Sequence, residues 1–309
     1  MTDIVLVDSL RHLYGERVAL DNVSFRVGAG ECFGLLGPNG GGKTTLFRIL
    51  TTLLAPTGGR ATICGSDVVR DRAAVRGHLG VVFQSPSLDL YLTVRENLRH
   101  GGHLYGLAGS ALEDRITLML GRLGVADRAR DLVKTLSGGL RRRVEIAKCM
   151  LHKPSLLILD EPSTGLDPGA RIDLWQHLQE LVREDGTTVL ITTHFMEEAE
   201  RCDRLAILDR GKLVACGTPT ELKSRIGGDC ITIEADDPAR LRDEIDGRLQ
   251  VKPAIVGRMV RIETDHAPAV AVQLMDAVGP SIRSITIGKP TLEDVFMKET
   301  GRRFEGDDA

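Results

Sequence analysis

The chain has 309 residues, 42% hydrophobic and 27% charged, with a formal net charge of -3, which suits roughly two soluble domains with a real core and leaves no basic footprint for a nucleic acid. No run of about 18 apolar residues could span a bilayer, and the start, Met1-Thr2-Asp3-Ile4-Val5-Leu6-Val7-Asp8, lacks the basic region and long apolar core of a signal peptide. The six cysteines (Cys32, Cys64, Cys149, Cys202, Cys216 and Cys230) form no C-x-x-C pair and have no histidine at ligand spacing, a pattern of buried thiols in a reducing cytosol rather than disulfides or zinc.

Residues 4 to 27 read as antiparallel strands, with Val18, Leu20, Val23, Phe25 and Val27 apolar and polar residues between them. Tyr14, between two of these runs, offers a flat ring for adenine to stack on. The apolar run Cys32-Phe33-Gly34-Leu35-Leu36 then leads into Gly37-Pro38-Asn39-Gly40-Gly41-Gly42-Lys43-Thr44-Thr45, a full G-x-x-x-x-G-K-[ST] pattern. Four glycines in six residues let backbone N–H groups turn inward around a phosphate, because no Cβ blocks positive φ or close approach. Lys43 adds a point charge for the β- and γ-phosphates, Thr44 a hydroxyl for Mg²⁺, and the helix opening at Lys43 the positive end of its dipole.

Further along, Arg60-Ala61-Thr62-Ile63-Cys64-Gly65 and Leu79-Gly80-Val81-Val82-Phe83-Gln84 read as strands. Gln84 either caps the second strand or, beside a phosphate site, completes the coordination of Mg²⁺ or water. Thr93 and Glu96 form a capping box, and the pattern stays helical to about Lys134 with a break at Leu107-Ala108-Gly109, a helical insert in the α/β alternation. In Leu136-Ser137-Gly138-Gly139-Leu140 a serine and two glycines open another helix. Its Leu140, Val144, Ala147 and Leu151 share a buried face, while Arg141, Arg142 and Arg143 begin the other. This second anion site has no lysine and is too incomplete to hold a nucleotide alone.

Leu156-Leu157-Ile158-Leu159 is the aliphatic run of a fully buried parallel strand, and it leads straight into Asp160 and Glu161. Two adjacent acids there are costly unless they act on something. Neighbouring side chains on a pleated strand point different ways, so Asp160 is assigned to the Mg²⁺ shell, through water or Thr44, and Glu161 to the attacking water as general base. Asp167 caps a helix that begins at Pro168. The strand Thr187-Thr188-Val189-Leu190-Ile191-Thr192-Thr193 then delivers His194, which in this series holds the γ-phosphate or orients water.

In this order and near this spacing, the phosphate loop, Gln84, Leu136-Ser137-Gly138-Gly139, Asp160-Glu161, Gly165-Leu166-Asp167 and His194 resemble the nucleotide-binding subunits of ATP-binding cassette transporters, over residues 1–226. Leu140 stands where that family most often has glutamine, and Gly41 where it has alanine or serine; neither change removes a charge or a backbone donor. The resemblance implies an α/β P-loop ATPase core with an antiparallel β subdomain and a helical insert at about residues 85–152. It implies ATP and Mg²⁺ as cofactors, with Lys43, Gln84, Glu161 and His194 catalytic, Thr44, Gln84 and Asp160 on the metal, and Tyr14, Asp167 and the two glycine-rich segments on the nucleotide. A head-to-tail homodimer or pseudo-dimer would sandwich two ATP molecules, each between the phosphate loop of one subunit and Ser137-Gly138-Gly139 of the other. A separately encoded membrane permease would dock at about residues 85–105, making the chain peripheral on the cytoplasmic face of the membrane, with no nucleic acid as partner.

Within the family, Leu140-Arg141-Arg142-Arg143, and Leu88-Asp89 followed by residues 92–98, resemble the subgroup that serves exporters, including the daunorubicin-resistance type. Over residues 228–300, strand 230–233, helix 238–245, strands 251–255 and 259–262, helix 269–277 and strand 282–287 predict a small α+β accessory domain. Its closing Pro290-Thr291-Leu292-Glu293-Asp294-Val295-Phe296 resembles the end of those exporter ATPases. Asp236 and Asp237 read as a helix cap rather than a metal site, and the charged tail, residues 301–309, is expected to fray. The expected function is ATP hydrolysis coupled to export. One alternative is a soluble cassette ATPase acting on ribosomes or nucleic acid, which a single cassette without a basic linker disfavours. Another is an importer ATPase, against which the C-terminal extension argues.

Overall fold

The computed structural model describes residues 3–302 and 304. Met1 and Thr2 of the N-terminal run and most of the charged tail, residues 303 and 305–309, lie outside the described residues. The chain divides into two compact units, Met1–Leu213 and Val214–Ala309.

The first unit opens with two long antiparallel strands, β1 (Asp3–Tyr14) and β2 (Arg17–Gly28), followed by β3 (Cys32–Leu36) and α1 (Lys43–Leu50). Next come β4 (Gly58–Ile63), β5 (Ser66–Asp67), α2 (Arg72–His78) and β6 (Leu79–Val82). The helices α3 (Val94–Leu104), α4 (Gly109–Arg122) and α5 (Gly138–Cys149) form the insert, α3 starting at the Thr93 capping box as its sequence predicts. The chain then returns to alternation with β7 (Leu156–Asp160), α6 (Pro168–Asp185), β8 (Thr188–Thr193), the short α7 (Met196–Ala199), β9 (Arg204–Asp209) and β10 (Lys212–Gly217), within which the two units divide.

Two sheets result. One is antiparallel in the order β2-β1-β4-β5; in the other, β9-β3-β8-β7-β6 run parallel. Every residue of β3, β7 and β8 is buried, as strands covered on both faces require. Helix α1 packs on β2 and β4 of one sheet and on β7 and β8 of the other. A hydrophobic cluster that includes Val144, Ile146 and the fully buried Trp175 joins the insert helices to α6 and the parallel sheet.

Four sequence expectations need correction, the first being the helical pattern expected to about Lys134: α4 ends at Arg122, and only short 3₁₀ turns at Ala126–Arg128 and Val133–Thr135 follow. The strand expected through Gly65 ends at Ile63, because Cys64 (φ 50) and Gly65 (φ 79) turn the chain in the left-handed region. The strand expected through Gln84 ends at Val82, and Arg142 takes the carbonyls beyond it, Nη1 donating to Phe83 O at 2.7 Å and Nη2 to Gln84 O at 3.3 Å. Arg142 is therefore not on an exposed face: it is buried and donates to the equally buried Glu145 at 2.8 Å, whose other oxygen accepts from Ser87 N at 2.5 Å.

The second unit contains α8 (Pro219–Ser224), β11 (Asp229–Glu234), α9 (Pro238–Arg248), β12 (Pro253–Val256), β13 (Met259–Thr264), α10 (Ala267–Val278), β14 (Ser284–Gly288) and α11 (Leu292–Thr300). Its antiparallel sheet has the order β12-β13-β11-β14. The pleat sends Ile231 and Ile233 into a core with Leu241, Ile245 and Leu274 from α9 and α10. Cys230 points the other way and accepts from Arg261 Nη2 at 2.9 Å, while Arg261 Nη1 donates at 2.5 Å to Asp294 on α11. Asp237 caps α9 by accepting from Arg240 N at 3.0 Å, and Asp236 pairs with Arg283.

Removing one member of a buried ion pair leaves the other charge unpaired. Arg142→Ala is expected to destabilise the chain by about 3–5 kcal/mol, and joint replacement of Arg142 and Glu145 by methionine to cost less than that single change. Urea unfolding checks both; a single variant as stable as the parent contradicts the assignment.

Candidate active site

The phosphate loop follows β3, Asp160 ends β7 with Glu161 immediately after it, and β8 lies hydrogen-bonded between those two strands. Ligand crevices of parallel sheets form at the carboxyl ends of such strands. The end of β8 holds the parts together: Gly37 N donates to Thr193 O at 3.3 Å, and Glu161 N donates to Thr192 O at 3.1 Å and to its Oγ1 at 3.0 Å. Thr192 Oγ1 in turn donates to Asp160 Oδ1 at 2.6 Å.

In the loop, Gly40 and Gly42 have φ 77 and 108, and a Cβ on Gly42 would lie 2.9 Å from Ala19 O. Glycine is required there both for the left-handed backbone and for space. Gly41 is less confined: an added Cβ would meet Pro38 O at 3.0 Å and Leu208 O at 3.1 Å, so a side chain needs a shift of a few tenths of an ångström.

Lys43 begins α1 and is only 4% exposed. Its Nζ donates to Gly37 O at 2.6 Å and Pro38 O at 3.1 Å and lies 3.4 Å from Glu161 Oε1. Burial pulls this ammonium below the ordinary lysine range, against the opposing pull of Glu161. Burial also pushes the Asp160 carboxyl above the ordinary carboxylate range, against the hydrogen bond from Thr192. His194 Nδ1 lies 3.3 Å from Glu161 Oε2 and makes no hydrogen bond among the described residues. Glu161 itself has φ 44, uncommon for a residue with a side chain.

A cleft of about 460 Å³ brings together Tyr14, Pro38, Asn39, Gly40, Gly42, Lys43, Thr44, Thr45 and Glu161. Tyr14 is 45% exposed and meets the His12 ring edge to face. The cleft also gathers Arg17, Arg48 and Arg210, a cationic wall that sequence reading missed. Only Arg48 carried a signal, sitting one helical turn after Thr44 on α1.

The remaining candidates do not line this cleft. Gln84 is exposed beyond β6, its carbonyl held by Arg142. Ser137 caps α5 by accepting from Leu140 N at 3.3 Å; Ser137 and Gly138 are exposed, while a Cβ on Gly139 would press within 2.8 Å of Ala170 Cβ. Asp167 caps α6, accepting from Ala170 N at 2.9 Å. Among the described residues no helix is long and apolar enough to cross a membrane.

The family model described as ABC transporter matches residues 20–164, and that for the C-terminal domain of DrrA1-3-like ATP-binding proteins matches residues 217–300. The Nod factor export ATP-binding protein I of Cupriavidus metallidurans is 40% identical over 98% of this chain and 99% of its own. The daunorubicin resistance ATP-binding protein DrrA3 of Streptomyces coeruleorubidus is 38% identical over 96% of each chain. CbiO1 of Clostridium perfringens, part of the ABC transporter complex CbiONQ, is similar in structure with a TM-score of 0.68 at 29% identity, covering 72% of this chain and 92% of that one. A dimeric ATP-binding cassette in a post-hydrolysis state, bound to ADP and phosphate, gives 0.62 at 28% identity, covering 69% and 98%. The chain thus belongs to the ATP-binding subunits of exporter-type ABC transporters, enzymes that hydrolyse ATP, and carries the DrrA-like C-terminal domain of that group.

Proposed function

We propose that this subunit works as one half of a head-to-tail pair, with each ATP held by the phosphate loop of one copy and by Ser137, Gly138 and Gly139 of the other. The observation that carries the reading is a separation within one chain. Lys43, Thr44 and Glu161 line the cleft, whereas the exposed start of α5 lies outside it. A helix start offers N–H donors to an anion; here that anion is the partner copy's ATP.

In the cleft, loop amides and Lys43 hold the phosphates and the Tyr14 ring takes the adenine. Thr44 and Asp160 supply oxygen donors that suit a hard cation and would hold Mg²⁺, with Gln84, which lies outside the cleft in this structure, proposed as a further donor; when bound, the ion neutralises charge on the phosphates. Glu161 takes a proton from water as the water oxygen bonds to the γ-phosphorus and ADP leaves; His194 orients the γ-phosphate or that water. Because Lys43 is the ion-pair partner of Glu161, phosphates that take over Lys43 free Glu161 for this step.

Export needs a route from the cleft to a separately encoded permease. A groove of about 550 Å³, lined in part by Phe83, Ser87, Leu92, Leu104 and Tyr105, suits a docking helix. The Arg142–Glu145 pair ties the Gln84 segment beside it to α5, so movement in the groove reaches Ser137-Gly138-Gly139. On this reading residues 1–226 are the nucleotide-binding domain, 228–300 the accessory domain, and the chain sits on the cytoplasmic membrane face through its permease. Relatives named for Nod factor export and daunorubicin resistance support the outward direction.

Glu161→Gln is expected to keep ATP affinity, lower turnover about 10²–10⁴-fold and accumulate an ATP-bound dimer on size-exclusion chromatography; parental turnover would remove Glu161 as the base. Ser137→Arg is expected to leave ATP binding by the monomer intact and stop hydrolysis. Loss of nucleotide binding by that monomer contradicts the shared site.

Asp160 gives a stability test. Its raised pKa means that the folded chain keeps this proton to higher pH than the unfolded chain, so stability falls as pH rises from the unfolded value through the folded one. Asp160→Asn keeps an acceptor for Thr192 and removes the charge. Calorimetry at pH 7 without nucleotide is expected to show a higher melting temperature, by about 2–4 °C for each kcal/mol, together with loss of the stabilisation conferred by Mg²⁺ and ATP. A lower melting temperature contradicts the account.

A further inference from the structure

The hydrolytic step described above leaves the buried carboxylate of Glu198 unused. Glu198, on α7, is 4% exposed and lies between two hydroxyls: one oxygen accepts from Ser163 Oγ, the other from Thr193 Oγ1 at 2.6 Å. Both donors are almost wholly buried. Ser163 follows Glu161 by two residues, and Thr193 immediately precedes His194. Thr193 does more than hold this acid, since its hydroxyl accepts from Phe195 N at 3.0 Å and its carbonyl from Gly37 N at 3.3 Å. The turn around His194 is thereby pinned on both sides, and the first glycine of the phosphate loop is pinned to it.

We infer that Glu198 is a positioning residue for hydrolysis, setting the placement of Glu161 against His194 by clamping Ser163 to Thr193. The inference rests on the roles proposed above for Glu161 and His194. Two further features support it. Glu161 adopts a left-handed backbone at φ 44, a conformation that persists where the surroundings over-determine it, and Ser163 anchors the turn that contains it. The backbone also fixes the clamp from below, with the N–H groups of Glu198 and Ala199 both donating to Phe195 O at 3.2 Å.

The chemistry calls for a carboxylate. An ionised acid only accepts and can satisfy both hydroxyls, whereas glutamine offers one acceptor and one donor and leaves a buried hydroxyl without its acceptor. Small misplacements of reacting groups are costly in rate, so Glu198→Gln in the full-length chain is expected to lower kcat about 10- to 100-fold. KM for ATP, and affinity for a fluorescent ATP analogue, are expected to change by less than about twofold, because the change removes no phosphate contact.

A replacement that merely loosened the fold would act independently of His194; the clamp does not. In a His194→Ala background, Glu198→Gln is expected to lower kcat by less than about twofold more. If Glu198→Gln fails to fold, Ser163→Ala removes one arm of the clamp and goes through the same cycle with the same expectations. Parental kcat in the single variant, or a full additional loss in the His194→Ala background, overturns the inference. Parental kcat in His194→Ala alone overturns the role given to His194 as well, whereas a slow His194→Ala beside a fast Glu198→Gln overturns only the clamp.

Discussion

The cleft is arranged around the buried ammonium of Lys43. A charge with 4% of its side chain exposed cannot stand unpaired, and its partners are two carbonyls of the loop that carries it and the carboxylate of Glu161. The same position that costs desolvation puts the cation at the helix start where phosphates are drawn. On the proposed roles, binding and catalysis are linked through this one group, because Lys43 is shared between the phosphates and the acid that acts next.

That pairing requires two strands far apart in sequence to end at the same depth, and β8 sets the depth. Threonine hydroxyls and carbonyls at its end reach the phosphate loop on one side and Asp160 and Glu161 on the other. Within the insert, Arg142 and Glu145 fasten the segment after β6 to α5 with buried, charge-assisted hydrogen bonds.

Much of this was legible in the sequence. The glycine loop, the aliphatic run into two acids and the Thr93 capping box each have a local physical cause, and each appears where its residues predict. What could not be read is what depends on tertiary pairing. The β3-β8-β7 order is not local, so Thr192 and Thr193 looked like ordinary strand formers although their hydroxyls build the site. Glu198 sits beside Glu197 and near Glu200, with nothing local to set it apart from them, yet it is buried. Arg142 was hidden in a run of three arginines; its spacing from Glu145 on the same helix was the available clue. Strand ends at Ile63 and Val82 were overrun because apolar pattern does not register a left-handed turn or a carbonyl taken by a distant guanidinium.

The proposed shared site makes catalysis depend on encounter. The most direct measurement is the rate of phosphate release at saturating ATP and Mg²⁺ over a wide range of chain concentration. The account predicts a rate that rises with the square of concentration where single copies dominate and becomes linear once pairs form. A rate strictly proportional to concentration down to fully separated copies would contradict it.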